Sequence, residues 1–345
     1  MNSIKVSGRW TSLGFACVVT IAATVATAQE PEKKSSEKPN AGAATRASIY
    51  DKSADANVQV AKAAERAKKG DKRILLMFGG DWCGWCHKLH GLFKTNREIA
   101  QTLYNEYELV TVDLESPNGA TLLKTCKDAL TKEELQKGVG YPFLAVLDAE
   151  GKVVKAQRTD ELEEGDHHDP KRVAAFLEQW KVSAKDAKHV LDEALSLASS
   201  DDKRVFLAFG APWCGWCHRL HDWMAQPEIA AILDRDYVIA HIDVDRMTGG
   251  KDVQKRYQPA TSGGIPWFAI LDAQGKALAT SDGPGGNIGY PAQPQEIAHF
   301  MAMLKGQAHR INESQLGQIK KSLEDAGERI KAQMERARRP AATAH

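Results

Sequence analysis

One stretch of this sequence occurs twice. Residues 71–90 read DKRILLMFGGDWCGWCHKLH, and residues 202–221, 131 positions later and in register without a gap, read DKRVFLAFGAPWCGWCHRLH. Each copy is a short apolar run, a glycine, and then Trp-Cys-Gly-Trp-Cys-His opening an amphipathic segment. A continuous apolar run of this length marks a strand buried on both faces, the kind found in α/β sheets covered by helices. The duplication divides the 345-residue chain into two domains, as its length also suggests.

Charge and hydropathy exclude some classes of function. With 46 basic and 45 acidic residues there is no electrostatic reason to expect nucleic acid. A hydrophobic content of 43% is that of soluble domains and argues against a polytopic membrane protein. The N-terminus reads as an export signal over residues 1–28: Lys5 and Arg9 form a basic region, residues 13–25 an apolar one, and Ala26-Thr27-Ala28 a cleavage site before Gln29. The apolar run is shorter than the ~20 residues of a membrane span, which favours cleavage over an uncleaved anchor. Gly14-Phe15-Ala16 is a poor lipid-attachment sequence ahead of Cys17. The expectation is an exported protein, periplasmic or otherwise extracytoplasmic, with a polar disordered tether over residues 29–53.

The rest of the chain divides at residues 54–182, 183–305 and 306–345. In the first domain the pattern predicts a leading helix from Asp55 to Gly70 and a strand at 74–78. The cysteine helix should run to about Tyr104, followed by a strand at 109–114 and a helix over 120–137. Gly140-Tyr141-Pro142 then precedes a strand at 143–147, a turn at 148–151, a returning strand at 152–157 and a closing helix at 170–181. The second domain repeats the order, with a helix at 184–197, strands at 205–209 and 237–244, and Gly264-Ile265-Pro266 before a strand at 267–271. A helix at 294–305 closes it. The first copy is longer by several residues before its X-Pro, and that extra length is read as holding Cys126. Residues 313–338 read as a long charged helix with Leu316, Ile319, Leu323, Ala326, Ile330 and Met334 on one stripe, able to dock on the second domain or to form a dimer seam.

Cysteine counting brings out the chemistry. Without Cys17, two CxxC pairs and a lone Cys126 remain, and an extracytoplasmic setting permits disulfides. A thiol attacks only as thiolate, and a free cysteine of pKa about 8.5 is roughly 3% ionised at neutral pH. The unpaired amides and dipole at a helix N-terminus favour the negative sulfur. Cys83 and Cys214, where the helices should begin, are therefore the attacking thiols. Cys86 and Cys217, one turn inward, resolve the mixed disulfide. The pattern points to thiol–disulfide exchange.

These motifs resemble the thioredoxin superfamily: an apolar strand, Trp-Cys-x-x-Cys at a helix start, and X-Pro before an antiparallel hairpin, together covering nearly all of residues 54–305. The resemblance implies tandem α/β thioredoxin-like domains, each with a central mixed sheet flanked by helices, followed by a C-terminal charged helix. It also implies cis bonds at Tyr141-Pro142 and Ile265-Pro266, with the preceding backbone binding an extended substrate. The Gly-Ile-Pro form is the closer match. Trp82 and Trp213 match the family's tryptophan before the first cysteine, and Trp85 and Trp216 should be exposed for partner contact. Protein thiols and disulfides are then the substrates, no cofactor is implied, and a membrane electron donor or acceptor would couple the protein to its compartment. Two departures stand out. The family's reductases carry a buried acidic residue six positions before the first cysteine, where this chain has Met77 and Ala208. The Gly-Trp dipeptides also differ from those of the best-known members, so the direction of exchange stays open among reductase, oxidase and isomerase.

Rival readings are weaker. CGWCH is also the haem-attachment signature, with His87 and His218 as axial ligands, but a cytochrome needs neither the preceding strand nor the following X-Pro hairpin. A metal centre from Cys83, Cys86, His87 and His90 would need ligands that point around a helix to converge, so no metal is expected. His87, His90, His218 and His221 are read as solvent-facing or helix-packing residues. A non-catalytic binding or chaperone module would keep its activity when Cys83 and Cys214 become serine.

Overall fold

The computed structural model describes residues 47–338. The expected export signal, most of the expected tether and the last seven residues lie outside the described residues.

In the first domain, helix α1 (Ala56–Gly70) starts where the Asp55 carboxylate accepts hydrogen bonds from the amides of Asn57 and Val58. It ends at Asp71, which takes the left-handed conformation (φ 49°) that a short polar side chain tolerates. Strand β1 (Arg73–Gly79) follows, buried from Ile74 onward. Its side chains alternate between two cores, as the period of a strand requires. Leu75 and Met77 face a layer formed by α2 (Gly84–Thr95) and α3 (Arg97–Glu106). Ile74, Leu76 and Phe78 face α1 on the other side. β1 pairs in parallel with β2 (Tyr107–Asp113), which α4 (Gly119–Lys127) and α5 (Lys132–Gln136) follow. On its other edge β1 pairs antiparallel with β3 (Phe143–Leu147), and β4 (Val153–Arg158) lies beyond, giving the order β2-β1-β3-β4. A small hairpin of β5 (Glu163–Glu164) and β6 (His167–His168) precedes α6 (Pro170–Trp180), which Asp169 caps.

Four expectations need correction here. The cysteine helix does not reach Tyr104: Asn96 leaves the helical region (φ −83°, ψ 115°), and its side chain accepts from the amide of Ile99, capping a new helix. The helix expected over 120–137 is two helices, because Thr131 and Glu134 form a capping box that starts α5. The extra length of the first copy is this α5 segment and does not hold Cys126, which sits in α4, an element both copies share. Finally, residues 48–53 belong to the fold: Ser48 Oγ and the amide of Ile49 bind the Asp81 carboxylate, and Tyr50 is buried.

The second domain follows the same order: α7 (Ala187–Ser200), β7 (Arg204–Gly210), α8 (Gly215–Met224), α9 (Pro227–Leu233), β8 (Tyr237–Asp243), α10 (Gly250–Tyr257), β9 (Trp267–Leu271) and β10 (Ala277–Thr280). Its sheet is ordered β10-β9-β7-β8, and the short β11 (Asp282–Gly283) and β12 (Gly286–Asn287) lead to α11 (Pro294–Lys305). The long helix α12 (Glu313–Arg338) lies against this domain. Leu316, Ile319, Leu323, Ala326 and Ile330 are buried in one core with Phe206, Trp223, Phe268 and Phe300, and only Met334 of the expected stripe is exposed. The stripe is thus covered within the chain, and the helix docks on the second domain.

The domains meet through the loop after β8. Arg246 Nη1 donates to the carbonyl of Gly70 (2.9 Å), Nη2 donates to that of Asp71, and Nε donates to the Glu106 carboxylate (3.1 Å). Lys69 pairs with Asp222 and Lys185 with Asp71. An arginine also occupies the corresponding helix end of the second domain. Arg310, before α12, donates to the carbonyls of Asp201 (3.1 Å) and Asp202 (2.9 Å), which correspond to Gly70 and Asp71. Cations are favoured at both places because the last carbonyls of a helix lack partners and carry the negative end of its dipole. Among the described residues no helix is long and apolar enough to cross a membrane.

Candidate active sites

Both cysteine pairs lie at the C-terminal end of the central strand of their sheet and are closed as disulfides, Cys83–Cys86 and Cys214–Cys217. Cys83 is the N-cap of α2, and its sulfur accepts from the amide of Cys86 at 3.1 Å; Cys214 and Cys217 repeat the arrangement at 3.1 Å. An N-cap usually offers oxygen to this orphan amide. A sulfur in that position is stabilised as an anion by the donor and by the helix dipole. The first cysteine of each pair is therefore the better thiolate.

The X-Pro segments face these sulfurs. Tyr141-Pro142 and Ile265-Pro266 are both cis, and the carbonyl oxygen of Ile265 lies 3.5 Å from Cys214 Sγ. In the first domain the Tyr141 ring meets Trp82 edge-on at 5.8 Å, and Thr159 Oγ1 donates to the carbonyl of Pro142.

The tryptophans before the cysteines are both exposed, at 57%, but differ in posture. Trp82 lies over Gly80, where a Cβ would overlap the indole nitrogen. Ala211 stands at the corresponding place in the second domain, and Trp213 instead donates from Nε1 to Asp245 at 2.7 Å. Burial works to raise the Asp245 carboxyl, but hydrogen bonds from Trp213 and Lys251 outweigh it and hold the group below its ordinary value. Sequence reasoning missed Asp245, whose counterpart in the first copy is Glu115, because it becomes part of the site only through its long-range bond to the Trp213 indole.

The tryptophans between the cysteines were expected to be exposed, and only one is. Trp216 is 42% exposed, stacked on Tyr290 with Arg219 over its face. Trp85 is half-buried: the β5–β6 hairpin brings His168 against its edge at 5.2 Å, and Lys88 lies 4.5 Å over its face. Burial, aided by Lys88 and His167, pushes the His168 imidazole down to about 4, so it is neutral beneath the indole. The hairpin is only two residues per strand, too short for alternation to announce it.

The histidines after the second cysteines tie the first turn of each helix to the preceding loop. His87 Nε2 donates to the carbonyl of Asp81 (3.0 Å) and His218 Nε2 to that of Pro212 (2.7 Å). As axial haem ligands both would have to give up these bonds through Nε2, the nitrogen such a ligand offers. Among the described residues no three His, Cys, Asp or Glu side chains converge as a metal site. Cys126 is buried in α4, and burial pushes its thiol up to about 12.

The two sites differ behind the second cysteine. Cys86 is fully buried, whereas Cys217 is half-exposed and lines a cavity of about 140 Å³ with His221, His241 and Arg246. Lys69, Gly70 and Lys72 of the first domain form its opposite wall. Burial, with His221 at 4.9 Å, pushes the His241 imidazole down to about 4.

Comparison with known proteins agrees with this geometry. A family model described as Thioredoxin-like matches residues 55–149 and again 186–273, together more than half of the chain. The protein disulfide-isomerase erp38 of Neurospora crassa is 26% identical over 192 residues, which cover 53% of this chain and 47% of that protein. Protein disulfide-isomerase 1 of Dictyostelium discoideum is 26% identical over 221 residues, 60% of this chain and 54% of that protein. The chain thus spans about half the length of the curated relatives it matches. Among solved structures, a disulphide isomerase from Xylella fastidiosa is 27% identical, covering 38% of this chain and 95% of its own, with a TM-score of 0.31.

Proposed function

The chain belongs to the thioredoxin-like family, and from that premise we propose that it is an exported thiol–disulfide oxidoreductase whose two CxxC pairs exchange disulfides with protein substrates. The observation that carries the reading is the N-cap sulfur of Cys83 and Cys214, each bound by the amide of the second cysteine and each beside a cis X-Pro loop. A substrate thiolate attacks the first sulfur, the second leaves, and the mixed disulfide is held against the backbone before the proline. Trp82, Trp85, Trp213 and Trp216, with Tyr141 and Ile265, supply the contact surface for an extended polypeptide. The names of the relatives from Neurospora crassa and Dictyostelium discoideum support disulfide exchange with proteins. The N-terminal signal pattern supports an extracytoplasmic compartment, where a membrane electron donor or acceptor would reset the pairs.

The test is the redox equilibrium of both pairs against glutathione in the mature chain, with Cys83→Ser and Cys214→Ser assigning the transitions. Potentials of about −270 mV indicate a reductase, and potentials of about −120 to −180 mV an oxidase or isomerase. Exchange activity that survives in the double variant would overturn the proposal in favour of a binding module.

A further inference from the structure

The cysteine sites are not equivalent in what faces the sulfur that leaves. When a substrate thiolate attacks Cys83 Sγ, a bond forms between the two sulfurs and the Cys83–Cys86 bond breaks. Its electron pair departs on Cys86 Sγ. That thiolate is born at a fully buried position, where a charge without a hydrogen bond is costly. The strand position that carries an acidic residue in the family's reductases is Met77 here, so help must come from elsewhere.

The structure offers one group. Asp81 binds Ser48 and Ile49, and Thr111 Oγ1 donates to the carbonyl of Ile49 at 2.7 Å, so residues 48–50 form a strap across the end of the sheet. The strap drops the Tyr50 ring behind the disulfide, in one core with Cys83 and Cys86. A Cβ built on Gly79 would overlap Cys86 Sγ and would lie 2.6 Å from the Tyr50 hydroxyl oxygen. The absent side chain of Gly79 is therefore the space the sulfur and the hydroxyl share. The Tyr50 hydroxyl is 5% exposed as part of its residue and has no hydrogen-bond partner, an uncommon condition for a buried donor. Asp113, paired with Gly79 in the β1–β2 register, has a buried Oδ2 that is also unpartnered.

We propose that the Tyr50 hydroxyl donates a hydrogen bond to the Cys86 thiolate whenever the first disulfide opens, and so sets the opening rate of that pair alone. The inference rests on the exchange reaction proposed above. Tyr50 keeps its proton throughout: the sulfur leaves with its electron pair, receives the hydrogen bond, and in the return step attacks the mixed disulfide to expel the substrate thiolate. Burial and the nearby Asp113 and Asp81 carboxylates push the phenol well above its ordinary value, which keeps it a donor. Nothing similar exists in the second domain. The places of Tyr50, Asp81 and Thr111 are taken there by Lys181, Pro212 and His241, and the space the strap would fill is the cavity beside Cys217.

The test uses the mature chain, with the rate of opening of each disulfide by dithiothreitol followed by mass spectrometry of the trapped cysteines. Loss of one hydrogen bond to an ionised group predicts that Tyr50→Phe opens Cys83–Cys86 about tenfold more slowly, with Cys214–Cys217 unchanged as an internal control. In the reduced protein the pH profile for alkylation of Cys86 should move upward by about one unit for the same reason. Tyr50→Leu separates packing from hydrogen bonding. A normal rate in Tyr50→Phe with a slow one in Tyr50→Leu would overturn the proposal, as would equal slowing of both disulfides. If neither disulfide of the unaltered chain exchanges with thiols, the failure lies in the proposed function and not in Tyr50.

Discussion

Replacing Arg246 by alanine tests how the two domains are joined. The guanidinium satisfies two carbonyls at the end of α1 and both oxygens of Glu106, and the side chains are 15% and 10% exposed. Burial raises the Glu106 carboxyl above its ordinary value, with Arg246 pulling it the other way. Removing one partner of a buried pair costs about 3–5 kcal/mol, because the remaining charge is stranded. Two cavities beside the pair admit water and place the expected loss at the low end, about 3 kcal/mol. Urea unfolding followed by tryptophan fluorescence reads the loss as a shift of midpoint. Adding Glu106→Gln should restore part of it, since the stranded charge is then gone. The sign of the pH effect is fixed as well. Without Arg246 the folded chain holds the Glu106 proton more tightly than the unfolded chain does, so stability falls as pH rises, and the variant should be less impaired near pH 5 than near pH 8. A midpoint change of under about 0.5 kcal/mol, or strict additivity of the two substitutions, would refute the argument.

Three further outcomes follow from the same geometry. The depressed His168 imidazole is neutral in the fold but protonated in the unfolded chain between pH about 6.5 and about 4. Its stabilising effect is therefore present above about pH 6.5 and lost as pH falls through that window, up to about 3 kcal/mol, and His168→Phe should flatten the acid limb of the first domain's stability profile. Cys126, with its thiol pushed up to about 12, should resist iodoacetamide at pH 8 in native protein and react once urea unfolds the domain; prompt native labelling would contradict its burial. Leu323→Ala empties a fully buried site between α12 and the second domain and should cost about 3 kcal/mol there, measured by the same urea transition.

What the sequence made legible is what repeats locally. The apolar runs at β1 and β7, the strands Phe143–Leu147 and Trp267–Leu271, and the stripe of α12 all announce themselves by period or by unbroken hydrophobicity. The cysteines and the X-Pro pairs were visible because their chemistry depends on short fixed spacing. Features that arise from long-range contact were not visible. Tyr50 sits in a polar stretch that reads as tether, and becomes part of the site only because Asp81 and Thr111, far along the chain, hold it. The burial of Trp85 depends on His168, which arrives on a hairpin too short to carry a pattern. Asn96 could have been found: an asparagine one turn ahead of an isoleucine amide, in a long amphipathic run, is a capping signal that the apolar period obscured.

The two arginines at the helix ends bear on how many such domains can be joined. Arg246 docks the front of the second domain onto the rear of the first, a head-to-tail contact that in principle repeats without limit, as in a solenoid or an open filament. The second domain presents the same acceptor pair at its own rear, in Asp201 and Asp202, and Arg310 fills it from within the chain. The lead-in to α12 therefore takes, at the rear of the second domain, the place that Arg246 takes at the rear of the first. Arg310→Ala should leave the Asp201 and Asp202 carbonyls without this partner and lower the urea midpoint of the second domain, while the Arg246 contact to the first domain is kept.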